Sequence, residues 1–333
     1  PVCGRSDLAA YRMFLRHLLL ICPALAASLI VTPHHHRGPS LPPQLLAHRA
    51  AAPMLALPST AALATASTIP TLLGFWKSEY GVSYAYGFAM AAAGAMHLSN
   101  PSPLAVAHAA VLLAYGARLN LFLLYRELAI PRFREFREKI EARAVSKGGR
   151  LARTPFVLSC SLLYFCMAAP VLLTARHPPA AGTPAALCLT ALLALMYLGF
   201  GVAALGDLTK TWVKAQRGED VLVTSGLFRR LRHPNYTGEA CLWSANAAAA
   251  VTVLAGAQLT LFAKARWIVA ALTGAAGIGF VLMGAAGSLE AKQAERYADD
   301  PLYKAWVAGS WGGPKIAKKA PPAAAEGGSE GGS

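Results

Sequence analysis

The sequence predicts an all-α membrane protein, a polytopic bundle of about six to seven spanning helices arranged as hairpins. Of its 333 residues, 55% are hydrophobic and only 14% are charged, whereas soluble domains carry about 25% charged residues. The charges are collected between long apolar stretches, most of which approach the roughly 20 residues that a helical span requires. Because the basic residues flank these stretches, the formal charge of +15 indicates loops beside a bilayer rather than a nucleic-acid partner.

The first 75 residues differ from the rest and are predicted to be a targeting region. Asp7 is the only acid before Glu79, and arginines are scattered among Ala, Ser, Thr and Pro. An acid-poor, Arg-bearing N-terminus is typical of an organelle transit peptide. The alternative is a membrane span at residues 18–31, with a second and weaker one at residues 54–75. The composition favours a plastid membrane, with the endoplasmic reticulum second.

From residue 76 onward, apolar stretches and turns alternate in a pattern that predicts three helical hairpins. The predicted spans lie at residues 82–97, 104–125, 156–174, 185–205, 242–262 and 267–287. Three long charged segments then fall on one side of the membrane. They are residues 126–153, which are expected to form an amphipathic surface helix, 207–239 and 290–319. The positive-inside rule places this side in the cytosol, the stroma or the matrix.

The remaining features predict little chemistry of their own. The membrane domain is expected to end near residue 315, and residues 316–333 have the Ala-, Gly-, Ser- and Glu-rich composition of a disordered tail. The six cysteines form no CxxC pair and are interpreted as buried thiols. A histidine run at residues 34–36 has no neighbouring carboxylate or cysteine, so no metal site is predicted.

One segment, residues 226–239, differs from every other polar stretch because it combines many hydrogen-bonding side chains immediately before a predicted span. Pro234 disfavours a helical residue at His233, so the chain is expected to bend there. Polar side chains at a membrane boundary are costly and usually functional. A simple basic anchor would account for Arg229 and Arg230. It would not account for a set that also includes Asn235, Tyr236 and Glu239.

The same residues resemble the C-terminal signature of the membrane family allied to steroid 5-alpha-reductases. That family often reads Gly-Leu-Trp-x-x-x-Arg-His-Pro-Asn-Tyr-Phe-Gly-Glu-x-x-x-Trp, and this chain has Phe228 for the first Trp and Thr237 for the Phe. Upstream, residues 207–214 and 115–119 are similar to the family's Asp-x-x-Lys-x-x-x-Lys and Gly-x-Arg-Leu motifs. Downstream, its closing residues are matched by Glu290, Tyr297, Tyr303 and Trp306. The resemblance covers roughly residues 80–315.

The resemblance implies one of two chemistries. Sterol and steroid reductases of this group use NADPH to reduce a carbon–carbon double bond. Isoprenylcysteine carboxyl methyltransferases have a related Arg-His-Pro-x-Tyr segment and use S-adenosylmethionine. The reductase is favoured because the 2′-phosphate and pyrophosphate of NADPH need several cations, whereas S-adenosylmethionine is itself a cation. A non-catalytic membrane protein that retains the fold and binds a lipid or a partner is the third interpretation.

The expected site follows from the resemblance and from these side chains together. The expected cofactor-binding residues are Lys210, Lys214, Arg232, His233 and Asn235. Tyr236 or Glu239 is expected to donate a proton, with the other residue orienting the nicotinamide amide or the substrate. A lipophilic substrate is expected to enter from the bilayer, so the expected partners are this small molecule and membrane lipids.

Overall fold

A computed structural model describes residues 58–316 of the chain. The α-helices of these residues are α1 Thr60–Thr68, α2 Leu73–Trp76, α3 Tyr84–Ala95, α4 Pro103–Ala129, α5 Pro131–Ser146, α6 Thr154–Arg176, α7 Pro184–Arg217, α8 Pro234–Gly256, α9 Leu261–Arg296 and α10 Pro301–Gly309. Short 3-10 helices occur at Ile69–Leu72, Ser78–Gly81, Arg150–Arg153 and Gly226–Arg229. The predicted all-α class is confirmed for this part of the chain. The predictions for residues 18–31, for the histidine run and for residues 317–333 lie outside the described residues.

Four helical segments among the described residues are long and apolar enough to cross a membrane. They are Pro103–Ala129, Arg150–Arg176, Pro184–Arg217 and Leu261–Arg296. These helices fit the predicted integral membrane protein. The predicted count of six to seven spans is not confirmed.

Three of the predicted spans differ from the structure for separate reasons. The described part of the predicted span 54–75 is broken into α1, a 3-10 helix that contains Pro70, and α2. Helix α3 has 12 residues and is therefore about 18 Å long, which is shorter than a hydrocarbon core of about 30 Å. Helix α8 has 23 residues, but Glu239, Ser244 and Asn246 interrupt its apolar run.

The helix boundaries also differ from the predicted ones. Helix α7 continues through Arg217 and α9 through Arg296, so both enter segments that were predicted only as polar stretches. Lys, Arg, Glu and Gln are good helix formers, so a helix need not end where its apolar stretch ends. The last hairpin turns at residues 257–260, whereas residues 263–266, which separate the two predicted spans, lie inside α9.

The chain divides into two compact units. The first contains the described residues of Pro1–Phe200 together with Cys241–Gly277, and the second contains Gly201–Ala240 together with the described residues from Ile278 onward. In the first unit, α3 packs closely on α4 because glycines face the partner backbone. A Cβ atom at Gly116 would lie 2.6 Å from the backbone nitrogen of Ala91 and would also overlap the carbonyl oxygen of Gly87.

Buried polar side chains fix the helices of the first unit to one another. His108 is fully buried, and its Nδ1 lies 3.0 Å from Thr174 Oγ1 while its Nε2 lies 2.7 Å from Asn246 Oδ1. Asn246 Nδ2 donates to the carbonyl oxygen of Met167 at 2.8 Å. A polar group in an apolar interior is costly unless it is hydrogen-bonded, so these contacts specify how α4, α6 and α8 pack in this unit.

Helix α5 is the predicted surface helix, and a buried arginine attaches it to the first unit. Arg137 is 4% exposed, and its Nη1 donates to Glu127 Oε2 at 2.7 Å. Its guanidinium lies 4.9 Å from the ring centres of both Tyr80 and Tyr84. Both phenol groups donate to the Glu127 carboxylate. Burial raises the pKa of the Tyr80 hydroxyl, and the neighbouring carboxylate raises it further.

The described cysteines agree only partly with the buried-thiol interpretation. Cys160 and Cys166 are buried, whereas Cys188 is exposed and Cys241 is partly exposed. The exposed position of Cys188 follows from the position of α7, whose apolar stretch is mostly exposed in this chain.

The close packing of α3 on α4 gives a stability prediction. Replacing Gly116 by Ala is expected to lower the free energy of unfolding by about 1–3 kcal/mol, because the added Cβ meets backbone atoms that have no room to move. The matched control is Gly201→Ala inside α7, where nothing lies within 4 Å of the Cβ position. That variant is expected to be neutral or up to about 1 kcal/mol more stable. Thermal unfolding in detergent measures both, and equal midpoints would contradict the prediction.

Candidate functional site

The second unit contains a pocket with a volume of about 210 Å³. It is formed by the end of α7, the loop at residues 218–233, the start of α8 and the end of α9. The cationic side chains in its lining are Lys210, Lys214, Arg232, Lys292 and Arg296. Glu219 is the only carboxylate that the described residues contribute to this lining. Two further carboxylates lie behind the lining and pair with its cations, Glu290 with Arg232 and Asp220 with Arg296. The pocket therefore keeps a moderate excess of positive charge.

Helical spacing on α7 and on α9 directs the lysines of the lining and Arg296 towards the pocket. Lys210 and Lys214 are four residues apart on α7, so they lie on one face of that helix. On α9, the lining residues are Leu289, Lys292, Gln293, Arg296 and Tyr297, and their spacing of three to four residues also defines one face. Sequence reasoning identified the α7 pair and missed the α9 pair. The spacing of four residues between Lys292 and Arg296 was the signal that could have identified the α9 pair.

Glycines shape the connection between α7 and α8. Gly218 follows the last residue of α7 with a φ of +97°, and Gly226 begins the next 3-10 helix with a φ of +59°. Both values lie in the left-handed region that favours glycine. A Cβ atom at Gly206 would lie 2.9 Å from the backbone nitrogen of Asn235 and 3.2 Å from Pro234 Cγ. Glycine at position 206 therefore allows the start of α8 to lie directly against α7.

The predicted bend at His233 is confirmed, because α8 begins at Pro234. His233 is 3% exposed, and its Nε2 lies 3.2 Å from Glu290 Oε1. A carboxylate only accepts hydrogen bonds, so Nε2 carries the proton of the neutral ring. Burial lowers the pKa of His233, and the nearby Glu290 offsets part of this shift. His233 is therefore an uncharged donor near neutral pH.

Glu290 also pairs with two permanent cations. Arg232 Nε lies 3.1 Å from Glu290 Oε1, and Lys315 Nζ pairs with Glu290 Oε2. Arg232 Nη1 donates in addition to the carbonyl oxygen of Val307 at 3.2 Å. Two adjacent basic residues, Arg232 and His233, and the distant Lys315 thus share one carboxylate.

The predicted catalytic residues lie along the first two turns of α8. The ring of Tyr236 stacks on that of His233 with a centroid distance of 5.7 Å and an interplanar angle of 28°. Glu239 is 9% exposed and is placed one turn further along the helix. Neither residue lines the pocket, whereas all five predicted cofactor-binding residues do. The structure therefore divides the predicted site into a charged group that lines the pocket and a second group, partly buried Tyr236 and buried Glu239, that does not.

Residues near the C-terminal end hold the loop in place. Trp306 Nε1 donates to the carbonyl oxygen of Phe228 at 2.6 Å. The hydroxyl of Tyr297 donates to the carbonyl oxygen of Asp220 at 2.6 Å, and Arg296 pairs with the Asp220 carboxylate at 2.7 Å. Tyr297 and Trp306 belong to the downstream motif noted in the sequence. Their hydrogen bonds show that these two residues hold the loop between α7 and α8 in place.

Comparison with known proteins identifies one relationship. A family model described as "Protein of unknown function (DUF1295)" matches residues 77–308, which is more than two thirds of the chain. No curated protein and no solved structure matches the chain. The matched region begins before α3 and ends within α10, so it includes every residue that lines the pocket. The chain therefore belongs to the DUF1295 family, which is related to steroid 5-alpha-reductase-like membrane proteins.

Proposed function

We propose that the protein is a membrane-embedded, NADPH-dependent reductase that acts on the carbon–carbon double bond of a lipid or steroid-like substrate. The observation that carries this proposal is the pocket, which is lined by five cationic side chains and one carboxylate and keeps an excess of positive charge after Arg232 and Arg296 have paired with Glu290 and Asp220. The pocket lies at the N-terminal end of α8, and a helix N-terminus favours phosphate groups. An anionic ligand with more than one phosphate group suits this arrangement.

The size of the pocket suits one end of such a ligand. Sites that enclose a whole small molecule usually have volumes of about 300–1,000 Å³, and this pocket has about 210 Å³. We therefore assign it to the phosphorylated end of NADPH. Lys210, Lys214, Lys292 and Arg296 would hold phosphate oxygens, and Asn235 would hydrogen-bond from the start of α8.

The same charge balance disfavours the methyltransferase alternative. S-adenosylmethionine carries a sulfonium, an ammonium and a carboxylate group, and carboxylates of the protein would be expected around the two cationic groups. Among the described residues, Glu219 alone contributes a carboxylate to the pocket, and Lys214 lies 3.8 Å from it. A cofactor with a net positive charge therefore suits this pocket less well than one with several phosphate groups.

NADPH, when bound, supplies a hydride, so the chain must supply a proton and keep the reacting carbons dry. Tyr236 or Glu239 is the proposed proton donor, and the other residue orients the substrate or the amide of the cofactor. Both residues lie past Pro234, towards the apolar part of α8. An apolar substrate would reach them from the lipid phase. A plastid membrane is the proposed location, with the endoplasmic reticulum second.

The first functional prediction concerns cofactor affinity. The wild type is expected to bind NADPH with micromolar affinity and NADH much more weakly. Lys210→Ala and Lys292→Ala are each expected to weaken NADPH binding by about ten- to a hundredfold, because each removes a charge-assisted phosphate contact of about 1.5–3 kcal/mol. Calorimetry on the purified protein in detergent measures these affinities.

The matched control for this experiment is Lys304→Ala, which removes an exposed lysine of the same unit that does not line the pocket. It is expected to bind NADPH like the wild type. Equal affinity for NADPH and NADH would contradict a 2′-phosphate site. Tight binding of S-adenosylmethionine without NADPH binding would favour the methyltransferase, and binding of neither would favour a non-catalytic protein.

The second functional prediction concerns Tyr236 and Glu239. Tyr236→Phe and Glu239→Gln are each expected to reduce turnover by about a hundred- to ten-thousandfold while leaving NADPH binding nearly unchanged. Each substitution removes a transferable proton and keeps the size of the side chain. Turnover is measured as NADPH oxidation by the protein in liposomes that contain a plastid lipid extract.

Melting temperatures of the same samples separate this role from a structural one. Glu239 lies in the second turn of α8, outside the first turn where a carboxylate interacts best with the helix N-terminus. A simple capping contribution is therefore not expected. If both variants kept the wild-type turnover per folded molecule, the segment would be only a structural anchor.

A further inference from the structure

Residues 310–316, which we name the C-terminal strap, run beside the residues that precede α8. The backbone nitrogen of Trp311 donates to the carbonyl oxygen of Arg230 at 2.8 Å, and that of Arg232 donates to the carbonyl oxygen of Trp311 at 2.9 Å. These two bonds form a parallel bridge between Leu231 and Trp311. Further along, the backbone nitrogen of Ile316 donates to the carbonyl oxygen of Met283 on α9 at 3.1 Å. The C-terminal strap is therefore tied at both ends within the second unit.

Gly312 of the C-terminal strap lies against the guanidinium group of Arg232. A Cβ atom at Gly312 would lie 2.7 Å from Arg232 Cζ and 2.8 Å from its Nε, and would overlap one terminal nitrogen. These distances are shorter than any ordinary van der Waals contact. The absence of a side chain at position 312 thus allows Arg232 to lie flat on the backbone of the C-terminal strap. In that position it reaches Glu290, Val307 and the pocket.

Lys315 of the C-terminal strap raises the net charge of the cluster that contains Arg232 and Glu290. With Arg232 alone, Glu290 would form a neutral pair, since His233 is uncharged near neutral pH. Lys315 adds a second permanent cation on the other oxygen of the same carboxylate. The cluster of Arg232, Lys315 and Glu290 then carries a net charge of +1. Lys315 does not itself line the pocket.

We infer that the C-terminal strap sets the affinity of the pocket for anionic ligands, with Gly312 and Lys315 as positioning residues that act through Arg232. This inference rests on the proposed function for the identity of the cofactor. The chemistry that it requires is a phosphate-bearing ligand that contacts the Arg232 guanidinium. Gly312 fixes where that group lies, and Lys315 keeps it from being neutralised by Glu290.

The test compares variants in two titrations, one with NADPH and one with inorganic pyrophosphate, using the full chain in detergent. Gly312→Ala is expected to lower the affinity for both ligands by about ten- to a hundredfold, which is the loss expected for Arg232→Ala. Lys315→Ala is expected to lower both affinities by about two- to fivefold, whereas Lys315→Arg is expected to keep the wild-type affinities. Gly309→Ala is the control, because nothing lies within 4 Å of its Cβ position.

A double-mutant cycle distinguishes positioning from a general loss of structure. If Gly312 acts through Arg232, then Gly312→Ala causes no further loss of affinity in the Arg232→Ala protein. A further loss of similar size in that background, or wild-type affinity in either single variant, would overturn the inference. The melting temperature of Gly312→Ala is expected to stay near that of the control, because the overlapping atoms belong to a flexible side chain.

The two ligands separate failure of this inference from failure of the proposed function. If the wild type binds pyrophosphate but not NADPH, the reductase proposal falls and the role of the C-terminal strap is decided by the pyrophosphate affinities. If the wild type binds NADPH and only Arg232→Ala weakens it, the reductase proposal stands and the inference falls. If the wild type binds neither ligand, both are overturned.

Discussion

Glu290 is the common partner of three basic side chains that reach it from two separate parts of the sequence. Arg232 and His233 come from the loop before α8, and Lys315 comes from the C-terminal strap. Glu290 itself lies near the end of α9, with a side chain that is 17% exposed. A poorly hydrated charge needs a partner, so Glu290 holds Arg232 and His233 beside the end of α9. The shape of the pocket therefore depends on this carboxylate, although it does not line the pocket.

The polar C-terminal ends of α7 and α9 supply the other cationic side chains of the pocket. With 34 and 36 residues, these helices are about 51 and 54 Å long, whereas a hydrocarbon core is about 30 Å thick. Each is therefore an apolar segment followed by a polar continuation of the same helix. Because a helix is rigid over a few turns, cationic side chains on the continuation are held in a fixed register without any loop. The pocket is built mainly from these continuations and from one loop stabilised by Glu290.

Much of this arrangement could be predicted from the sequence, because it is encoded by patterns of neighbouring residues. Apolar stretches identified the long membrane helices, Pro234 identified the start of α8, and the motif identified Arg232 and His233. The helix ends were missed because the polar residues after an apolar stretch are themselves good helix formers. Lys315 and Gly312 were missed because their roles depend on contacts with residues about 25 and 80 positions away, for which no local pattern exists.

The order of residues along α8 bears on which chemistry the site performs. Asn235 lines the charged pocket, Tyr236 stacks on His233, and Glu239 is buried one turn further along. With a rise of 1.5 Å per residue, the helix places Glu239 about 6 Å beyond Asn235 along its axis. A reductase needs such an arrangement, because it must bind a charged cofactor and deliver a proton to an apolar substrate. A methyl transfer to a carboxylate needs no proton donor. The division of the site into a cationic pocket and two candidate proton donors on one helix is therefore the arrangement that the proposed reduction requires.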